Sequence, residues 1–220
     1  MACLGATFGI GVTAFVCLKI VGTAANPWLV APLGASAVLL FAVPASPLAQ
    51  PWPIIGGNVL SAIVGVTAAQ SISSTAIAAA VAVGGAILLM SLLRCLHPPG
   101  GAAALTAVIG GKSIAGLGFL FPLVPMGLNS VLLVLTGLAV HRFSAHSYPH
   151  RAIPAVSVLS VGKRPFDVQT TDIDLALADL GETFDIGRED LKVLFERVEY
   201  HGRRRRARTE QRISDSNRLK

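Results

Sequence analysis

Residues 1–143 run almost unbroken through Ala, Val, Leu, Ile and Gly, punctuated by short clusters of Pro and Gly. A helix that crosses a bilayer needs roughly 20 apolar residues, with a range of about 17–25. Six runs come into question: residues 2–22, 28–43, 54–70, 75–93, 101–109 and 118–141. Two of them are compromised. Pro32 and Gly34 interrupt 28–43, and 101–109 is too short for a full crossing. Residues 44–53 carry four prolines and cannot be helical throughout. Trp28 and Trp52 sit at segment edges, where amphipathic rings favour the headgroup level. The pattern predicts an all-α membrane protein, a helical bundle of about six membrane segments.

After His141 the pattern changes. Residues 144–165 form a mixed stretch with three prolines, read as a linker that extends to residue 170. Ile173, Leu175, Ala176, Leu177 and Leu180 then mark a short helix, closed by Gly181 at its C′ position. Leu191, Leu194, Phe195 and Val198 follow at i, i+3, i+4 and i+7, the stripe of an amphipathic helix over 188–201. Asp185 or Gly187 could cap it, and Glu189 and Asp190 suit its first turn. Residues 203–206, all Arg, begin a basic tail that suits anionic headgroups better than nucleic acid. The organisation expected is a transmembrane domain over 1–143, a linker over 144–170, and a cytoplasmic helical hairpin with a basic tail over 171–220.

The two broken segments resemble each other. When Pro32-Leu33-Gly34-Ala35-Ser36-Ala37 is laid over Pro99-Gly100-Gly101-Ala102-Ala103-Ala104, Gly34 meets Gly101 and Ala35 meets Ala102. Asn58 and Asn129 then each open a long apolar helix after a Pro-containing loop, with four extra residues in the second connection. A duplication of this kind gives two repeats of three segments. An odd number of crossings inverts the second repeat, as in many transporters whose Gly/Pro-broken segments meet at the substrate site.

Charge sharpens this picture. Only 14% of residues are charged and mean hydropathy is +0.65, against about 25% charged in a soluble domain. All twelve acids lie from Asp167 onward, so the net charge of +6 reflects an acid-free membrane part rather than a nucleic-acid surface. Cys3, Cys17 and Cys95 lie in apolar stretches and read as packing residues, not a disulfide framework. Residues 1–22 lack a basic n-region and are followed by further apolar runs, so a cleavable leader is not expected. Arg142, Arg151, Lys163 and Arg164 follow the last apolar run, which places the C-terminus in the cytoplasm, and six crossings would place the N-terminus there too. The localisation expected is multi-pass in the cell (inner) membrane.

Candidate chemistry gathers around His97-Pro98-Pro99-Gly100-Gly101. Prolines push the preceding residues out of the helical region, and Pro99 suits the first position of a new helix. Free N–H groups of Gly100, Gly101 and Ala102 would then attract an anion at the helix N-terminus; the alternative is a purely structural helix break. Pro32, Gly34 and Ser36 form the matching half-site, with the Ser36 hydroxyl as a ligand group, or again a plain break. Arg94 could neutralise an anion or snorkel to the headgroups. His97 could carry a proton, since imidazole titrates near neutral pH, or serve as a structural hydrogen-bonding group. Asn58 and Asn129 suit interhelical hydrogen bonds. Nucleophile elbow, P-loop, metal-ligand spacing and paired intramembrane carboxylates are all missing from the sequence. No enzyme, catalytic residue, metal or cofactor is therefore expected.

The run Leu93-Arg94-Cys95-Leu96-His97-Pro98-Pro99-Gly100-Gly101-Ala102 resembles the signature of the HPP family of integral membrane proteins. So do Pro27-Trp28-Leu29-Val30-Ala31-Pro32-Leu33-Gly34-Ala35-Ser36-Ala37 and Pro44-Ala45-Ser46-Pro47-Leu48-Ala49-Gln50-Pro51. The resemblance covers residues 2–143. It implies a multi-helix membrane domain and, from cyanobacterial and chloroplast relatives, nitrite transport. Some bacterial relatives carry a CBS pair after the membrane part; residues 171–206 resemble the helical linker before it. Here the chain stops at Lys220 with no room for the pair: either it is a truncated relative or the regulatory part has been lost, so nucleotide-type regulation does not carry over from the resemblance.

The function expected is transport or channelling of a small, nitrite-like anion at half-helix N-termini, with Arg94, His97, Pro98, Pro99, Gly100, Gly101, Pro32, Gly34 and Ser36 as the binding residues. The alternative is a non-transporting membrane scaffold or sensor whose tail recruits a partner. The partners expected are the lipid bilayer and a small anion, with homo-oligomers left open and no nucleic acid.

Overall fold

The computed structural model describes residues 2–21, 28–143, 147–150, 170–180 and 186–218. Their regular structure is helical, with no strand among the described residues. A bilayer offers no water to exposed backbone, so a span must satisfy its own N–H and C=O groups, and helices do. Contacts divide the chain into two units, 1–151 and 152–220.

Four helices of the first unit are long and apolar enough to cross a membrane: α1 (Ala2–Val21), α3 (Pro53–Ser71), α4 (Thr75–Leu92) and α7 (Pro122–His141). Between them lie α2 (Pro32–Ala42), α5 (Pro98–Ile109) and α6 (Gly111–Leu117). The expected segments 28–43 and 101–109 thus become α2 and α5, of 11 and 12 residues. At about 1.5 Å per residue they reach roughly 16 and 18 Å, well short of a hydrocarbon core of about 30 Å. The connection from α5 to α7 departs from expectation, because it is itself helical. The chain bends by 96° between α5 and the stretch from Gly111 to Leu120, so the two together count as one broken span or a re-entrant turn. Gly111 makes the bend with a φ of +79°, which costs a residue without Cβ little. Among the described residues, length and composition give four candidate spans, or up to five with this bent pair.

Prolines set where helices begin. Pro32 opens α2, Pro53 opens α3 and Pro122 opens α7, while Pro98 and Pro99 fill the first two positions of α5. Both prolines of the motif therefore lie inside α5, although Pro98 was expected before it. Two N–H groups that a helix start leaves unpaired are absent from proline, so the pair costs the helix nothing there. The first turns of α3 and α7 are π-helical, over Pro53–Gly57 and Pro122–Gly127, with Val124 non-helical inside the second. Asn58 follows the first directly and Asn129 follows the second by one residue.

Small residues bring the helices close. A Cβ on Gly5 would touch Val140 and Phe41, one on Gly9 would touch Thr136 and Phe41, and Cys17 Sγ donates to Asn129 Oδ1 at 3.1 Å. That ladder of contacts makes α1 and α7 antiparallel neighbours. In the other half, Gly65 lies against the backbone of Ala104, and Gly100 against Ser61 and the Gly57 carbonyl. Here α3 and α5 cross at backbone distance, the small-residue packing by which membrane helices associate without a hydrophobic drive.

One end of this unit is tied together by several bonds. Trp52 Nε1 donates to the Leu93 carbonyl at 3.2 Å, joining the start of α3 to the end of α4. His141 Nε2 pairs with the Leu40 carbonyl at 2.9 Å, joining α7 to α2. Tyr148 Oη donates to the Ala49 carbonyl at 3.0 Å and the His150 N–H to Gln50 Oε1 at 2.8 Å. Residues 147–150 thus belong with the membrane unit.

In the second unit, α8 (Thr170–Leu180) and α9 (Arg188–Arg218) are joined by an ion pair between Arg188 and Asp174. Gly187 accepts the first helical bond of α9, from the Leu191 N–H at 3.0 Å. Helix α9 continues well past residue 201, where its apolar stripe ends. Most of the expected linker, with Arg151, Lys163 and Arg164, lies outside the described residues, as do the caps expected at Gly181 and Asp185.

Candidate functional site

Four helices contribute to a buried polar network. His97, at the entry to α5, is fully buried, and its Nδ1 lies 2.8 Å from the Leu48 carbonyl. A carbonyl only accepts, so Nδ1 carries a hydrogen and Nε2 of the neutral ring is an acceptor. Its partner is Ser36 Oγ of α2 at 2.8 Å. Asn58 Nδ2 of α3 donates to Ser36 Oγ at 3.2 Å and to Ser130 Oγ of α7 at 3.1 Å. Ser36, Asn58, Ser61, His97 and Ser130 are all 0% exposed. Two polar atoms among them have no partner: Asn58 Oδ1 and Ser61 Oγ. Counting about 1.5 Å per residue from Pro53, Asn58 and Ser61 lie roughly 7 and 12 Å along α3.

Local sequence dictates this meeting. Leu33, Ser36, Ala37 and Leu40 form the inward stripe of α2 at helical spacing, so Ser36 points into the bundle. Gly57 permits the approach of the motif: a Cβ there would lie 2.6 Å from His97 Cβ and 2.8 Å from the Cys95 carbonyl. The extended backbone of His97 (φ −143°, ψ 106°) then turns the chain into α5.

The structure therefore joins two residues expected at the site, Ser36 and His97, by a direct hydrogen bond. Pro32 supports them through its carbonyl, 3.3 Å from Ser36 Oγ. Pro99 is buried, and Gly100 is buried in the α3–α5 crossing. The others lie apart from the network. Gly34 is exposed beside Ala35 and Val38, Gly101 faces open space where its Cβ would be, and Pro98 is exposed.

Arg94 is exposed and ends α4. The Cys95 N–H bonds the Met90 carbonyl at 2.9 Å and the Arg94 N–H bonds the Ser91 carbonyl at 3.3 Å. That is the Schellman arrangement with Arg94 at C′, where its φ of +52° is one that Gly normally supplies.

The helix starts also differ from expectation. The Gly100 N–H is taken by the His97 carbonyl at 2.8 Å, and Leu33 and Gly34 bond the carbonyls of Val30 and Ala31 at 3.1 and 3.0 Å. Proline has removed two further donors at α5. Side chains, rather than free backbone N–H groups, supply the polar atoms of the site. Ser61 and Ser130 were not among the residues expected. Serine in an apolar run gives little signal by itself, although Asn58, three residues before Ser61 on the same helical face, marked the position.

The arrangement defines a class: a multi-pass helical membrane protein with a buried, carboxylate-free polar network between two short helices and two long ones. The model of the HPP transmembrane region matches residues 1–149, and the chain belongs to that family. A transmembrane protein of Dictyostelium discoideum is 42% identical over 126 residues, covering 55% of this chain and 44% of the relative. A second from the same organism is 36% identical over 151 residues, covering 66% and 48%. The chain thus spans about half the length of the curated relatives it matches. No solved structure matches it.

Proposed function

We propose that the protein transports a small monovalent anion, nitrite or a similar oxyanion, bound at the network of Ser36, Asn58, Ser61, His97 and Ser130. The observation that carries this reading is the pair of unpartnered atoms, Asn58 Oδ1 and Ser61 Oγ. Leaving a buried polar atom unpaired costs about 1–3 kcal/mol, and an apolar side chain would avoid that cost if packing were the only role. Polar groups buried at membrane depth mark solute paths. Residues 1–166 contain no Asp or Glu that would repel an anion. The family resemblance supplies the choice of nitrite.

This reading includes an inverted repeat, with α1, α2 and α3 related to α4, α5 and α7. In its favour, α1 pairs with α7 as α4 pairs with α3, each repeat has its short helix second, and each third helix opens with a Pro-led π-turn before a buried Asn. It also includes a cytoplasmic C-terminus. Arg94 and Arg142 lie at the end of the unit where α7 finishes, Arg151, Lys163 and Arg164 follow in sequence, and Lys19 and Lys112 lie at the other end.

The test is flux into proteoliposomes over nitrite, nitrate, formate and chloride. Protein-dependent nitrite uptake is expected, lost in Asn58→Leu and retained in Val38→Ala on the outward face of α2. Uptake of none of the four above protein-free vesicles would overturn the reading. It would favour a scaffold or sensor instead, for which the exposed Leu194, Phe195 and Val198 of α9 offer a docking stripe.

A further inference from the structure

The network has a place for a proton as well as for an anion. His97 Nδ1 gives its hydrogen to the Leu48 carbonyl, so the nitrogen free to gain a proton is Nε2, which faces Ser36. The Ser36 hydroxyl has two acceptors within reach: His97 Nε2 at 2.8 Å and the Pro32 carbonyl at 3.3 Å. When Nε2 is bare, the hydroxyl donates to it. When Nε2 carries a hydrogen, Ser36 Oγ accepts that hydrogen and swings its own to Pro32, so neither state strands the hydroxyl.

What the imidazolium would lack is a counter-charge. Ser36 faces His97 from α2, the Leu48 carbonyl from the turn Pro47–Ala49 and Gly57 from α3, and the Cys95 carbonyl and the Met90 thioether lie beside Gly57. The thiol of Cys95 is the one titratable group among these, Arg94 is exposed, and no acid precedes Asp167. We infer that the missing counter-charge is the solute: the site takes up a monovalent oxyanion and a proton together and carries them as a neutral pair. This rests on the transport reading above.

The anion side of the network responds to the same proton. Asn58 now gives both amide hydrogens to Ser36 and Ser130 and leaves Oδ1 bare. An oxygen there repels an oxyanion. Once His97 holds its own hydrogen at Nε2, the Ser36 hydroxyl no longer donates to the ring, and its hydrogen can pass from the Pro32 carbonyl to another acceptor. The Asn58 amide can then turn over, with Oδ1 accepting from the Ser36 and Ser130 hydroxyls and its two N–H bonds replacing the bare oxygen. Those donors and the Ser61 hydroxyl meet the anion. One proton enters from solution onto Nε2, the Ser36 and Ser130 hydroxyls and one amide rotate, and the proton leaves with the anion; no other covalent bond changes. By reciprocity, the anion strengthens proton binding as much as the proton strengthens anion binding.

The test uses wild-type proteoliposomes with pyranine inside and valinomycin to set the potential, with initial rates corrected for protein-free vesicles because nitrous acid leaks. One proton should enter per nitrite. An acid-outside gradient of one pH unit should support about tenfold accumulation, the equivalent of one proton's free energy, and an inside-positive potential at equal pH should add nothing. Uptake driven by potential and indifferent to the pH gradient would overturn proton coupling while leaving transport intact. No protein-dependent flux of any of the four anions would overturn the transport reading itself, and coupling with it. His97→Gln and Ser36→Ala, accepted only if monodisperse in detergent, should lose proton entry with the anion. Persistence of one-to-one entry in both would overturn the assignment to His97, and the wild-type measurement decides coupling should either variant fail to fold.

Discussion

The two adjacent glycines of the motif make opposite predictions. A Cβ on Gly100 would lie 2.7 Å from Ser61 Oγ, 2.9 Å from Met90 Sδ and 3.0 Å from the Gly57 carbonyl. The thioether can move, but the Gly57 backbone is held in the α3–α5 crossing, so α5 must shift outward. Overpacking of this kind costs typically 1–3 kcal/mol. A Cβ on Gly101 meets nothing within 4 Å. Ala in a helix is favoured over Gly by about 0.8–1.0 kcal/mol, so Gly101→Ala should stabilise. The helix gain is common to both variants, so their separation is the overpacking cost, roughly 1–3 kcal/mol. At about 2–4 °C per kcal/mol for a domain of this size, the melting temperatures should differ by roughly 2–12 °C. The assay is thermal challenge of detergent-solubilised protein followed by size-exclusion chromatography. Equal destabilisation by both substitutions, or a lower melting temperature for Gly101→Ala, would refute the placement of α5 against α3.

Tyr148→Phe removes the donor to the buried Ala49 carbonyl and should cost about 1 kcal/mol, measured as a lower melting temperature with insertion unchanged. Truncation after Arg151 should leave an inserted, monodisperse membrane unit, since residues 147–150 remain to hold the loop before α3; aggregation of that fragment would show that the second unit is needed for folding. A reporter fused after Lys220 should be active only if it functions in the cytoplasm, and periplasmic activity would reverse the topology.

Much of the fold was legible because apolar run length is a direct signal at membrane depth. Helices α1, α3, α4 and α7 fall within a few residues of the runs that announce them, and Pro32 and Pro99 mark the two helices too short to span, the second to within one residue. The bend into α6 was not legible. Gly110-Gly111-Lys112-Ser113 reads as an ordinary loop, and only packing decides that it is the corner of a helical turn. The site was legible to the motif but not to the face. In a soluble helix the polar side gives the orientation away; α2 has Leu, Ala, Val and Phe on every side, so nothing in its sequence separates the inward Ser36 from the outward Gly34.

Arg94 carries the same lesson further. As the one cation beside the motif it invited a role against an anion, yet its exposed place at the end of α4 accounts for its charge better than a bound anion does. The left-handed C′ position of α4 strains any residue with a Cβ, by roughly 1–2 kcal/mol, and Gly would fit there without strain. Its side chain is exposed at the end of the unit that also holds Arg142 and the exposed Trp52. That is where a positive charge orients a membrane protein and where it costs least. With Arg94 placed there, the buried network has no resident cation and no resident acid, and its five polar side chains are neutral until His97 is protonated. A monovalent anion desolvated among neutral groups in a low-dielectric interior is costly to hold, so the imidazole that meets Ser36 is the one group of the network that can match its charge.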